Sequence, residues 1–185
     1  MSAELEALAR RVRELEDREA IRETLHQYSF LLDMNRWAEV PEAVFTADGE
    51  DVHAEDTDPP MVSKGHEALR AQFGRAMPNF ESTQHLLGNH VIEVEGDEAT
   101  AQTYSISAHW LEQGEDADPG HPADFILSLL YVDKLRRTED GWRVYNRRLH
   151  AFGPGSSLVV GWLPGFLQPG VGVDVYGARN GGAGG

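Results

Sequence analysis

A chain of 185 residues suits one domain with a full hydrophobic core, because chains usually divide into several domains only well beyond this length. Its formal net charge of −15 repels nucleic-acid phosphates and anionic membranes, so we expect neither as a partner. The sequence contains no cysteine, which excludes a disulfide scaffold, a thiolate nucleophile and a cysteine-ligated metal.

The N-terminal part of the chain is predicted to be helical. Residues 3–34 carry two apolar stripes at helical spacing, separated by a step of six residues from Leu15 to Ile21. Either two helices, the second capped by Asp17, or one helix with a shifted apolar face explains this step. The sequence has no basic segment followed by an apolar run and no stretch long enough to span a bilayer, so we expect a cytoplasmic protein.

Shorter elements follow the first helix. Asn35 is a plausible N-cap for a short helix, which Pro41 kinks or confines to two turns. Residues 49–54 are consistent with a short strand. A further helix is predicted over residues 65–77, where apolar residues recur at a spacing of four.

From residue 82 onwards, the apolar spacing changes from helical to strand-like. Predicted strands cover residues 82–95, 98–112, 123–137 and 142–152. Tight turns at Gly96–Asp97 and at Thr138–Gly141 join neighbouring strands. The sequence therefore predicts an α+β domain, in which N-terminal helices pack on a curved antiparallel sheet and enclose a small-molecule pocket.

The chain changes character after residue 152. Prolines and glycines preclude regular structure there, yet the segment from Leu158 to Leu167 is too apolar to be exposed to water. We therefore divide the chain into a domain over residues 1–152, an apolar extension over 153–177 and a flexible tail over 178–185. The extension is expected to pack on the domain or on a second subunit.

Three polar residues in apolar surroundings are candidates for catalysis. Asp33 follows two leucines at the end of the first helix, Tyr28 lies on the inward stripe of that helix, and His85 opens the first long strand. A carboxylate on one imidazole nitrogen makes a general base, and a phenol can donate to a substrate oxygen. However, Tyr28 and Asp33 are about 140° apart around an ideal helix. Each residue also has an ordinary structural explanation. Asp33 can be a hydrogen-bonding residue at a helix end, Tyr28 a core residue, and His85 a strand histidine whose hydrogen bonds are satisfied.

The other histidines do not predict a metal site. His85 and His90 are five residues apart and would point to opposite faces of a regular strand. His109, His121 and His150 fall on separate elements without ligand spacing. Because the chain also has no glycine-rich phosphate loop and no nucleophile elbow, we expect no cofactor and no bound metal.

Several short motifs occur along the chain in a specific order. They are Asp17–Arg22, then Tyr28, Asp33, Trp37 and Phe45, then Gly65–Leu69, Thr83–Asn89, Asp140–Val144 and Arg147–Arg148. Over about residues 10–152, their order and spacing resemble the SnoaL-like group of the nuclear-transport-factor-2-like (NTF2-like) superfamily. The resemblance implies a cystatin-like cone, in which helices line a bent sheet, and this agrees with the fold predicted from the residues.

The resemblance also assigns roles to individual residues. Scytalone dehydratase, hexachlorocyclohexane dehydrochlorinase and bile-acid dehydratase belong to this superfamily and use an Asp–His pair for β-elimination. By resemblance, Asp33 and His85 are that pair, and Tyr28 stands where bile-acid dehydratase has its tyrosine. Arg147, or its neighbour Arg148, matches an arginine that faces the cone and is expected to bind substrate.

Three functions are consistent with these observations. The leading hypothesis is a cofactor-independent lyase that dehydrates a small apolar cyclic substrate, such as a steroid, terpenoid or polyketide. The second is a polyketide-cyclase-like aldol cyclase or isomerase, with Asp33 as the acid–base group. The third is a non-catalytic binding or structural subunit that resembles the small subunit of ring-hydroxylating dioxygenases.

The sequence also predicts a homo-oligomer, either a dimer or a trimer. The apolar segment 153–167 and the striped N-terminal helix both need cover from water. Light scattering is expected to show an assembly larger than a monomer, and deletion of residues 178–185 should leave it unchanged. A strict monomer at micromolar concentration would contradict this prediction.

Overall fold

The computed structural model describes residues 2–54, 61–112, 124–152 and 173–174. The helices are α1 (Ala3–Asp33), α2 (Val40–Val44) and α3 (His66–Ala76), with 3₁₀ turns at Trp37–Glu39 and Met77–Asn79. The strands are β1 (Phe45–Ala54), β2 (Met61–Lys64), β3 (Phe80–Glu95), β4 (Glu98–Leu111), β5 (Phe125–Thr138), β6 (Gly141–Ala151) and β7 (Val173–Asp174). In the part of the chain that the structure describes, no helix has the length and apolar character to cross a membrane.

Helix α1 is one continuous helix, so the second of the two alternatives for residues 3–34 is correct. Ser2 caps its N-terminus by accepting a hydrogen bond from the backbone N–H of Leu5. The buried positions begin at Ile21, whereas the apolar residues of the first stripe are between 43% and 67% exposed. The step of six residues therefore marks the point where the helix reaches the sheet. Asp17 is not a cap, because it lies inside the helix.

The prediction that Asn35 caps the second helix is wrong. Asn35 has a φ of 54° and follows the end of α1, and the next 3₁₀ turn is preceded by Arg36. The backbone N–H groups of Asn35 and Arg36 donate to the carbonyls of Leu32 and Leu31. This is a Schellman C-terminal cap, which needs a left-handed residue, and asparagine tolerates that conformation better than most residues. Asn35 therefore ends one helix and does not begin another.

The strands form one sheet in the order β2-β1-β6-β5-β4-β3, with β7 beside β6. Neighbouring strands are antiparallel, except that β1 and β7 both run parallel to β6. The register of β1 against β6 shifts between Phe45 and Glu50. Gly49 lies at this shift, and a Cβ there would be 2.9 Å from the carbonyl oxygen of Thr46 and 3.1 Å from that of Val144. Only glycine allows the two strands to approach so closely at this point.

The helices pack on one face of the sheet, and the core lies between them. Ile21, Leu25 and Tyr28 of α1 are at most 3% exposed and belong to the same buried cluster as Trp142 and Val144 of β6. The α+β prediction, with helices on a curved sheet, is confirmed. The division at residue 152 stays a prediction, because most of the predicted extension and all of the tail lie outside the described residues.

A hydrogen-bonded cluster connects the middle of α1 to the end of β5 and the start of β6. Asp17 accepts two hydrogen bonds from the guanidinium of Arg137, at 2.7 and 2.8 Å, and one from the indole of Trp142 at 3.1 Å. The side chain of Asp17 is only 18% exposed. The hydrogen bonds from Arg137, more than any other interaction, hold the pKa of Asp17 below its usual value.

Asp17→Ala is expected to lower the free energy of unfolding by about 1 kcal/mol at neutral pH, because it leaves Trp142 and Arg137 without their shared acceptor. Since the folded-state pKa of Asp17 is lowered, its contribution is present above the unfolded value of 3.8 and is lost as the pH falls below it. Urea unfolding at pH 7 and near pH 3 measures both effects.

Asp97→Ala is the matched control for this prediction. Asp97 also accepts a hydrogen bond from Arg137, at 2.9 Å, but its side chain is 83% exposed. Its removal should cost only a few tenths of a kcal/mol. Equal losses for the two variants would show that Asp17 contributes no more than an ordinary surface ion pair.

Candidate active site

The helices and the concave face of the sheet enclose a cavity of about 120 Å³. Its lining is mainly apolar and comes from α1, α3 and strands β1 to β6. Six larger polar side chains also reach it, namely Tyr28, His53, Gln72, His85, His109 and Tyr131. An apolar cavity with a few convergent polar groups is the usual form of a small-molecule site.

Asp33 and His85 are in direct contact at the wall of this cavity. Oδ1 of Asp33 lies 2.7 Å from Nδ1 of His85, and Oδ2 accepts a hydrogen bond of 2.8 Å from the backbone N–H of His85. Thr83 donates a third hydrogen bond to Oδ1 at 2.9 Å. The carboxylate therefore binds both the main chain and the side chain of the same histidine, which limits how the imidazole can rotate.

Asp33 is the last residue of α1, where the partial negative charge of the helix end disfavours a carboxylate. Burial acts in the same direction and raises its pKa, but the hydrogen bonds and charge of His85, together with the bond from Thr83, outweigh it. The net pKa of Asp33 lies below its usual value. Asp33 is therefore an ionised acceptor at neutral pH, and the donors on β3 compensate for its position.

This contact also settles the protonation of a neutral His85. An ionised carboxylate only accepts hydrogen bonds, so Nδ1 of His85 carries the proton and Nε2 carries the lone pair. His85 lines the cavity, while Asp33 lies behind it and is not among the lining residues. Tyr28 and Asp33 therefore need not share a helix face, because His85 connects the carboxylate to the cavity that Tyr28 lines.

His109 is a cavity residue that the sequence analysis did not select as a site residue. It lies on β4, is 7% exposed, and stacks on Phe125 with ring centroids 4.5 Å apart. The ring of His85 meets it edge to face at 5.6 Å. Its Nδ1 lies 3.1 Å from the carbonyl oxygen of Ser107, and a carbonyl can only accept, so Nδ1 carries the proton. The other ring nitrogen, Nε2, is thus an acceptor.

The alternation of β4 was the signal that could have identified His109. Every second residue from Ala99 to His109 is buried, so a strict period of two places His109 on the concave face. The spacing of the histidines argued against His109 as a metal ligand and indicated no other role for it. Its neighbours in the cavity come from β3 and β5, and their proximity depends on the sheet register.

Tyr28 lies inside the fold, as its place on the inward helix stripe predicts. It is 3% exposed, lines the cavity and meets the rings of Phe45, Phe73 and Tyr131 edge to face. Burial, more than any other effect, raises the pKa of Tyr28 well above its usual value. Its hydroxyl therefore keeps its proton at any physiological pH and can act as a hydrogen-bond donor.

Arg147, and not Arg148, points inward, but its surroundings differ from the expectation. Its side chain is fully buried and binds Asp133 through Nε at 2.7 Å and Nη2 at 3.0 Å. The guanidinium also lies 4.1 Å from the ring centre of Tyr28 and 4.8 Å from that of Tyr131. Arg147 is not among the residues that line the described cavity. It supports the two tyrosines from behind, so the expected direct contact with substrate gains no support.

Arg148 lies on the opposite face of β6. It borders a polar surface depression with Lys64, Lys134 and Arg136. This follows from the period of two along a strand, because adjacent residues point to opposite faces.

The sequence and the fold are similar to those of known proteins. Residues 13–148 match the family model of the SnoaL-like domain. The chain is similar to an NTF2-like protein with a cystatin-like fold from Novosphingobium aromaticivorans, with 30% identity and a TM-score of 0.63 over 80% of this chain and 90% of that one. The predicted NTF2-like fold is therefore confirmed.

Two further solved structures share the fold at lower identity. A candidate scytalone dehydratase from Novosphingobium aromaticivorans is 22% identical, with a TM-score of 0.64 over 82% of this chain and 97% of that one. A hexachlorocyclohexane dehydrochlorinase is 16% identical, with a TM-score of 0.61 over 83% of this chain and 97% of that one. At these identities the likeness concerns the fold alone.

His109 is expected to stay neutral in the folded protein throughout the physiological range. Burial is the main cause that lowers its pKa, to about 3, from an ordinary value of 6.5. Nitrogen-15 NMR of the imidazoles should show the proton on Nδ1 of His109, with no titration between pH 5 and 8. A titration in that range, assigned with His109→Phe, would contradict the buried neutral state.

Proposed function

Because the chain belongs to the SnoaL-like domain family, we propose that it is a cofactor-independent lyase that performs β-elimination on a small apolar cyclic substrate. The observation that carries this proposal is the hydrogen bond of 2.7 Å between Asp33 and His85 at the wall of an apolar cavity. A paired carboxylate and imidazole is suited to removing a proton from carbon. The fold shared with a candidate dehydratase and a dehydrochlorinase supports the same reaction class.

In the proposed reaction, Nε2 of His85 removes a proton from the carbon next to a substrate carbonyl. The electron pair of that C–H bond forms the new double bond as the C–O bond on the next carbon breaks. The departing hydroxyl takes the proton back from the His85 imidazolium and leaves as water, which restores the base. Asp33 holds the imidazole in the tautomer that presents Nε2 and stabilises the imidazolium that forms. A positioned base of this kind contributes roughly 10²–10⁴-fold to the rate.

Tyr28 and His109 supply complementary hydrogen bonds in this proposal. Tyr28 keeps its proton and donates to the substrate carbonyl or to the departing hydroxyl. His109 presents Nε2 as an acceptor beside His85, so it receives a hydrogen bond from a substrate hydroxyl. One donor and one acceptor beside the base would orient a β-hydroxy ketone for elimination.

Arg147 is a positioning residue in this proposal. Its guanidinium stacks against Tyr28 and Tyr131, and its pairing with Asp133 fixes the plane in which it lies. The hydroxyl of Tyr28 is thereby held in a constant position relative to His85. The cavity volume of about 120 Å³ indicates that one ring of the substrate occupies it, since a cavity of about 150 Å³ is known to hold benzene.

A simple β-hydroxy ketone tests the elimination directly. 3-Hydroxycyclohexanone loses water to give cyclohex-2-enone, which is followed by its ultraviolet absorbance. We expect His85→Ala and Asp33→Asn to lower the rate of this reaction by about 10²-fold or more. Thermal melts should show that both variants still fold cooperatively, with a moderate loss of stability because each removes hydrogen bonds of the Asp33–His85 pair.

His150→Ala is the matched control, because His150 lies on β6 but is not a cavity residue. It should leave the rate unchanged. Near-normal turnover in both active-site variants would overturn the elimination proposal. If the parent protein exchanges the α-protons of the ketone in D₂O without loss of water, an isomerase or aldol cyclase replaces the lyase. If it does neither, the binding-subunit hypothesis is favoured.

A further inference from the structure

The cavity has polar side chains at two separate places. His85 and His109 come from β3 and β4, whereas His53 comes from β1. Strands β6, β5 and β4 lie between β1 and β3 in the sheet. His53 and His85 therefore reach the same cavity from strands that are four steps apart in the curved sheet. We expect them to contact different groups of one bound ring.

The side chain of His53 is positioned by two contacts to its Nδ1 atom. Nε2 of Gln72, on α3, lies 2.9 Å from Nδ1 of His53, and Oδ1 of Asp51 lies 3.3 Å from the same nitrogen. Among the described residues, none makes a hydrogen bond to Nε2 of His53. The mechanism proposed above uses neither His53 nor its two neighbours.

The carboxylate behind His53 is part of a buried row of charges. Asp51 is opposite Arg147 in the pairing of β1 with β6, and Asp133 is opposite Arg147 in the pairing of β5 with β6. All three residues are fully buried. The row has two acidic groups and one basic group, so it disfavours a further negative charge nearby.

Two buried oxygen atoms beside His53 have no hydrogen-bond partner among the described residues. They are Oδ1 of Asp51 and Oε1 of Gln72, and Gln72 itself lines the cavity. Buried polar atoms without partners are rare in proteins and often mark a site that a ligand completes. Both of these atoms are acceptors, so the group that completes the site must bring a hydrogen-bond donor.

The contact with Gln72 also defines what His53 offers a ligand. An amide nitrogen donates, so Nδ1 of His53 accepts, and the proton of the neutral ring lies on Nε2. His53 therefore offers a ligand a donor at Nε2, and Gln72 offers an acceptor at Oε1. A hydroxyl group satisfies both, whereas a carboxylate has no donor and would add charge to the acidic row.

We propose that His53 and Gln72 bind a hydroxyl group of the substrate at the side of the cavity remote from His85. The substrate is then a neutral cyclic compound with oxygen atoms at both ends of an apolar ring. The hydroxyl oxygen accepts from Nε2 of His53, and its hydrogen is donated to Oε1 of Gln72. This inference deepens the proposed function, since it describes the substrate of the same cavity, and it rests on that function for the reacting end.

The test compares two inert ligands that differ by one hydroxyl group. Cyclohexanone has one oxygen, and 4-hydroxycyclohexanone has a second oxygen across the ring but cannot undergo β-elimination. NMR titration of the full chain should show that the hydroxy ketone binds about five- to tenfold more tightly, as expected for one net hydrogen-bonded group. His53→Phe should abolish this difference.

Two further variants distinguish the loss of a hydrogen-bond donor from a change in side-chain shape. His53→Gln keeps an N–H donor at this position and should retain part of the difference, while His150→Phe, outside the cavity, should retain all of it. The proposal is overturned if the parent protein binds both ketones equally or binds neither. It is also overturned if His53→Phe keeps the difference, or if His53→Gln loses it as completely as His53→Phe.

The result is independent of the elimination experiment, because it measures binding of compounds that do not react. A protein that fails to dehydrate 3-hydroxycyclohexanone can still show the difference that depends on His53. Conversely, loss of turnover in His85→Ala says nothing about the hydroxyl site. Failure of one proposal is therefore distinguishable from failure of the other.

Discussion

The Asp33 carboxylate connects the helical layer to the sheet at the point where the cavity forms. It lies at the unfavourable end of α1, and three donors from Thr83 and His85 on β3 compensate for that position. Because one of these donors is the imidazole itself, the same contact that positions the helix also orients the proposed base. A shift of α1 along the sheet would therefore change both the cavity wall and the direction of the His85 ring.

A second constraint is the buried charge of Arg147. Removing a guanidinium from water is costly, and the bidentate contact with Asp133 together with the rings of Tyr28 and Tyr131 compensates for that cost. Within the described part of the chain, one buried polar atom on Arg147 and one on Asp51 have no hydrogen-bond partner. The fold thus keeps charged groups close to an apolar cavity, where the guanidinium contacts the rings of two cavity-lining tyrosines, Tyr28 and Tyr131.

Part of the site followed from patterns in the sequence. Tyr28, Asp33 and His85 could be selected because each is a polar residue within an apolar segment, and the family resemblance relates the aspartate to the histidine. The family resemblance implied an inward-facing arginine near the end of the chain's last long strand, but the choice of Arg147 over Arg148 and its distance from the cavity came only from the structure. Strand alternation shows the face to which a side chain points. The contacts with Asp133 and with two aromatic rings determine where the guanidinium of Arg147 lies.

The sequence by itself determined the order of the helices and of the five longer strands, and the two hairpin turns, because local propensity and apolar periodicity act over a few neighbouring residues. It did not predict the short strands β2 and β7. It left open whether α1 is continuous, and it predicted the wrong role for Asn35, because a Schellman cap depends on backbone geometry that the residue type only permits. Only the tertiary structure decided that His109 and His53 share a cavity with His85. His85 and His109 lie on the two strands of one long hairpin, whereas His53 lies on β1, earlier in the chain. The sheet register and curvature that bring the three together arise from pairing between residues distant in the sequence.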